Sequence, residues 1–191
     1  MSEGDFLDDR RRASEDDYFR KKDRELVEKM RAAAAADRAT SELSARTGLN
    51  DPALLAELAA LGFTPETVSV LPLVPIVEMA WAEGGISEAE RTLLVTLARS
   101  RGIAAGSPAD LQLADWLARQ PSPAVFVRAT RLIRAMLDTG SHADGTLTAD
   151  ELIKYSESIA AASGGILGFG KVSAEERATL ARIVAALKTR A

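Results

Sequence analysis

The chain of 191 residues contains no cysteine and a single histidine, His142. These two shortages exclude disulfide scaffolds, thiolate zinc sites, cysteine nucleophiles and multi-histidine metal centres. A Ser-His-Asp triad would have to run through His142. No long apolar run is present either. The richest stretch, 68–82, is cut by Pro72, Pro75 and Glu78 and falls short of the roughly 20 residues that a membrane-spanning helix needs. The first residues carry Glu3, Asp5, Asp8 and Asp9 and lack the apolar stretch of a secretory signal, so a cytoplasmic location is expected. An excess of one charge is also missing. The 24 basic and 28 acidic side chains leave a net charge of −4, which argues against nucleic acid as a partner.

What is present begins with a charged arm. Of residues 1–38, ten are Lys or Arg and eleven are Asp or Glu. Residues 1–13 read as disordered, and Ser14-Glu15-Asp16-Asp17 as the capped, acidic start of a helical arm over 14–46. Phe19, Leu26, Met30 and Ala33 recur at helical spacing, and Tyr18 and Val27 widen the stripe. Such an arm packs on its own domain or binds a partner, either another protein or a second copy, through residues 14–38.

From Asn50 the chain reads as one helix after another. Asn50-Asp51-Pro52 starts a helix that runs to Leu61, before Gly62, and Thr64-Pro65-Glu66 starts the next. Pro72 and Pro75 separate a short helix from one ending near Ala82. Further helices are expected over 87–101, with Leu93, Leu94 and Leu97 on one side, and over about 107–119, 124–138, 148–162 and 173–189. No segment alternates as a strand would, so the fold class is all-α, a compact helical bundle with a charged helical arm.

One pattern, Gly-x-aliphatic-Ser/Thr-x-x-Glu, occurs at Gly84–Glu90, Gly145–Glu151 and Gly170–Glu176. The hydroxyl and the Glu make a reciprocal capping box, the aliphatic residue staples the incoming chain, and the Gly permits a sharp approach. Helix capping by itself accounts for all three copies. A functional reading starts from the acids before the first two glycines, Glu83 and Asp144. Asp-Gly-x-Leu-Thr-x-x-Glu matches the back half of an EF-hand loop, but Gly140 and His142 stand where its front ligands belong. A metal would therefore need ligands shared between loops: Glu83 and Glu90 from one, Asp144 and Glu151 from the other. Ca²⁺ or another oxygen-preferring divalent ion suits such a set. The third copy has Phe169 in place of the acid.

The stretch Leu71-Pro72-Leu73-Val74-Pro75, followed by Ala80-Trp81-Ala82-Glu83-Gly84-Gly85-Ile86-Ser87-Glu88-Ala89-Glu90-Arg91, resembles the TerB-like (tellurite-resistance protein B) domain. Ala143-Asp144-Gly145 resembles that family's second acidic loop. The resemblance implies a compact all-helical domain over about 50–190 with no established enzymatic activity. It also implies metal chelation by the acidic loops and an association with stress responses. Glu83 departs from the family's usual Asp, and the arm lies outside the resemblance.

Other signals are weaker. Gly165–Lys171 fits the first seven positions of a phosphate-binding loop, but Val172 replaces the Ser/Thr that would hold Mg²⁺, and a helix precedes it where a strand is required. Arg128, Arg131 and Arg134 read as a solvated helix face, Trp81 and Trp116 as core, and His142 as a loop residue. Glu78 and Glu83 could form a carboxylate pair for acid–base work, but nothing places a substrate between them, and no enzyme activity is expected.

Overall fold

A computed structural model describes residues 3–138, 148–163 and 173–188, with side chains from Tyr18 onward. The described residues form α-helices and one 3₁₀ segment, with no strand among them, which makes the fold class all-α. The helices are α1 (Glu3–Thr47), α2 (Pro52–Ala60), α3 (Val74–Ala80), α4 (Glu88–Ser100), α5 (Pro108–Ala118), α6 (Pro123–Asp138), α7 (Ala149–Ser163) and α8 (Ala174–Lys188). The 3₁₀ segment, Val68–Leu73, runs directly into α3.

The chain divides into two compact units, Met1–Ser41 and Glu42–Ala191. Two boundaries differ from expectation. Helix α1 extends upstream of Ser14 to Glu3, taking in residues expected to be disordered; no proline interrupts 3–47. The helical domain expected over 50–190 reaches back to Glu42, because Leu43, Thr47 and Leu49 are buried in its core. The Thr47 hydroxyl donates to the Leu43 carbonyl at 2.7 Å and accepts from the Leu49 N–H at 3.3 Å, closing the end of α1.

Local chemistry explains most helix starts. The Asp51 carboxylate accepts from the Ala53 N–H at 2.8 Å ahead of Pro52, and the Ser107 hydroxyl accepts from the Asp110 N–H at 3.2 Å ahead of Pro108. Gly102, at φ 79°, follows α4 in the left-handed conformation that a helix end favours. Thr64 does not start an α-helix. Its N–H donates to the Thr67 hydroxyl at 2.9 Å, and the single turn passes into the 3₁₀ segment that contains Pro72.

Helix α3 is the axis of the second unit. All seven of its residues are buried, including Glu78, and it packs against α4, α6, α7 and α8. A helix that is apolar on every side must be covered on every side, and four neighbours do so. On α4, Leu94 and Leu97 face the core while Leu93 is exposed, which narrows the expected apolar side. Trp116 is buried edge-on to Phe63, with centroids 5.9 Å apart, and half-buried Trp81 donates its indole N–H to the Trp116 carbonyl at 2.9 Å.

Candidate functional site

All three repeated helix starts close their capping boxes. At α4 the Ser87 N–H donates to Glu90 Oε2 at 2.7 Å and the Glu90 N–H donates to the Ser87 hydroxyl at 3.3 Å. At α7 the Thr148 N–H reaches Glu151 Oε2 at 2.8 Å and the Glu151 N–H reaches the Thr148 hydroxyl at 3.2 Å. At α8 the same pair of bonds joins Ser173 and Glu176 at 2.7 and 3.1 Å. Each closing glutamate thus spends one oxygen on the backbone.

Their surroundings differ. Glu90 and Glu176 are buried, whereas Glu151 and Glu83 are exposed. Burial pushes the Glu90 carboxyl above its ordinary value, against the lowering effect of its bonds to Ser87, and the charges of Glu176 and Glu83 push it further up. Glu151 is held below its ordinary value by its backbone and hydroxyl bonds from Thr148, with help from the charges of Arg101 and Lys154. Of the four expected metal ligands, Glu83 and Glu90 therefore share one electrostatic neighbourhood, and Glu151 sits among basic groups. Asp144 lies outside the described residues, as do His142 and the Gly165–Lys171 segment. No group of three or more His, Cys, Asp or Glu able to hold a metal ion occurs among the described residues.

The third copy lacks the preceding acid, yet the charge of its Glu176 acts on Glu90 alongside that of Glu83. The signal was the capping box itself, intact in all three copies. Known protein families, curated proteins and solved structures provide no match to this chain.

The arginines of α6 are more than a solvated face. The Arg128 guanidinium donates to Glu57 Oε1 at 2.8 Å, and Arg131 pairs with Oε2 of the same carboxylate, joining α6 to α2. Arg134 pairs with Asp138 and donates to the Leu187 carbonyl at 2.6 Å, tying α6 to the end of α8. Glu78 accepts from Arg182 Nη1 at 2.7 Å, so its partner is a cation on α8 rather than the Glu83 carboxylate. No helix among the described residues is long and apolar enough to cross a membrane.

Proposed function

We propose that this protein is a non-enzymatic, TerB-like binding and scaffold module that assembles through α1, two copies pairing along that helix. The supporting observation is the exposure of Tyr18, Phe19, Leu26, Val27 and Met30 on one side of α1, with Phe19 62% and Met30 65% exposed. Burying such side chains contributes about 1.5–3 kcal/mol each, enough to drive pairing of a helix that is otherwise polar. A second copy suits the charge pattern. Arm residues 1–38 carry 10 − 11 = −1 with both signs interspersed, so two arms meet with little net repulsion. In sedimentation experiments the full chain should self-associate with rising concentration, and a Phe19→Glu/Met30→Glu variant should remain monomeric with unchanged helix content. A wild-type chain that stays monomeric at every concentration ends this reading.

A second reading places a divalent ion weakly on each acidic helix start, with Glu83 and Glu90 as ligands at one and Asp144 and Glu151 at the other. It is supported by the mutual repulsion at Glu90, which a cation such as Ca²⁺ would relieve. Calorimetric titration with Ca²⁺, Mg²⁺ and Mn²⁺ should then release heat and raise the melting temperature, and Glu83→Gln should weaken both effects. No heat and no melting shift at millimolar ion removes the reading.

A further inference from the structure

We propose that the cleft between α6 and α8, floored by Glu78 of α3, binds a small amphipathic anion: a compact apolar body bearing one carboxylate or sulfonate. The cleft encloses about 340 Å³, within the range of small-molecule sites. Helix α6 lines it with Val127, Thr130, Arg131 and Arg134, a spacing of i, i+3, i+4 and i+7 that sets all four on one face. Opposite, α8 contributes Arg182, Ile183 and Ala186, and the Ala186 methyl leaves the space that a larger residue would fill.

The walls suit an apolar body. Val127 and Ile183 stand on the two sides, and Val127 remains 62% exposed although its neighbours Phe126 and Ala129 are buried. The arginine stems add methylene surface while their heads stay at the mouth. The Arg131 and Arg182 side chains are 66% and 52% exposed. Each anchors to a carboxylate, Arg131 to Glu57 and Arg182 to Glu78, and a guanidinium with five N–H donors keeps others for a ligand. Arg134, bound to Asp138 and the Leu187 carbonyl, serves as wall.

Charge selects the ligand's head. Among the residues lining the cleft, Arg131, Arg134 and Arg182 stand against Glu78, 3 − 1 = +2, and the carboxylates that pair with Arg131 and Arg134, Glu57 and Asp138, lie outside that lining. Glu78 acts as a positioning residue. It is 8% exposed, its Oε1 holds Arg182 from below, and no donor among the described residues reaches its Oε2. A carboxylate buried with one oxygen unmatched costs stability, and its return here is a guanidinium fixed at the cleft mouth.

The test uses the full chain and three probes of equal length: octanoate, octanol and octylamine. In amide NMR titrations octanoate should shift Val127, Ile183 and Ala186 and bind about tenfold tighter than octanol, with octylamine weakest, one charged hydrogen bond being worth about that factor. Arg131→Met and Arg182→Met, which keep the apolar stems and remove the charged heads, should each weaken octanoate about tenfold and leave octanol unchanged, whereas a merely structural loss would weaken both probes. Ala186→Phe should abolish binding of both by filling the cleft. Octylamine binding as well as octanoate, shifts located elsewhere, or no octanoate binding at all overturns the proposal. Should Ala186→Phe fail to fold, the probe ranking and the two arginine variants decide alone.

Discussion

Glu90 and Glu151 close identical capping boxes, yet their carboxyls move in opposite directions. Glu90 is buried beside Glu176 and Glu83, whereas Glu151 is exposed beside Arg101 and Lys154. The boxes were legible because a capping box is contained in four consecutive residues. The burial was not, because it depends on helices far along the chain. The difference sets a sign for pH dependence. A carboxyl raised above its unfolded value of 4.5 contributes its stability below that pH, and the contribution is lost as pH rises through the raised value. A lowered one, such as Glu151, contributes above 4.5 and loses its contribution as pH falls through the lowered value. Glu90→Gln keeps an acceptor for the Ser87 N–H and removes the charge. Denaturation followed against pH should therefore find Glu90→Gln level with wild type below pH 4.5 and no less stable than wild type at pH 7. Glu151→Gln should lie below wild type at pH 7 and converge with it in acid. A Glu90→Gln variant markedly weaker at pH 7 would show that the carboxylate charge itself supports the fold.

At the scale of elements, what could be read from sequence was what is built locally. The starts of α2, α4 and α5 stand where Asp51, Ser87 and Ser107 mark them, each with a side-chain bond to the backbone. Thr64 starts no α-helix because its N–H is taken by the Thr67 hydroxyl in a single turn, and the segment passes into 3₁₀ turns that contain Pro72. The arginines of α6 were misjudged for another reason. Their partners Glu57 and Leu187 lie 71 and 53 residues away from Arg128 and Arg134, beyond any local pattern. The caps differ in what they support, and this orders their mutants. Removing a Ser or Thr cap costs about 0.5–2 kcal/mol. Ser87→Ala also loosens the box that satisfies buried Glu90, so its cost should approach about 2 kcal/mol. Thr148→Ala opens an exposed box and should cost nearer about 0.5 kcal/mol. Urea unfolding of the two variants checks the order, and equal costs would mean that the burial of Glu90 adds nothing to its cap.

For the whole molecule, the charge of −4 divides between an arm with exposed apolar side chains and a domain whose core runs from Leu43 to Leu187. The expected metal set divides as well. Glu83 and Glu90 share one neighbourhood and Glu151 another, because the loops that looked alike in sequence head helices with different packing partners. The lower limit of the domain lay hidden in the continuity of α1: no glycine or proline marks Ser41, and the helix continues to Thr47. Two truncations expose that limit. A chain of residues 42–191 keeps every buried apolar residue among those described, and its melting temperature should match that of the domain in the full chain. A chain of 50–191 lacks Leu43 and Leu49, which are 3% and 1% exposed, together with the Thr47 bonds that close α1. Deleting one buried leucine side chain costs about 2–5 kcal/mol. Losing two approaches the whole stability of an ordinary domain, about 5–15 kcal/mol. The 50–191 chain should therefore melt far lower than 42–191 or fail to fold at all, as circular dichroism on heating would report. Equal melting of the two truncations would place the true start of the domain after Leu49 and make the last turn of α1 a passenger.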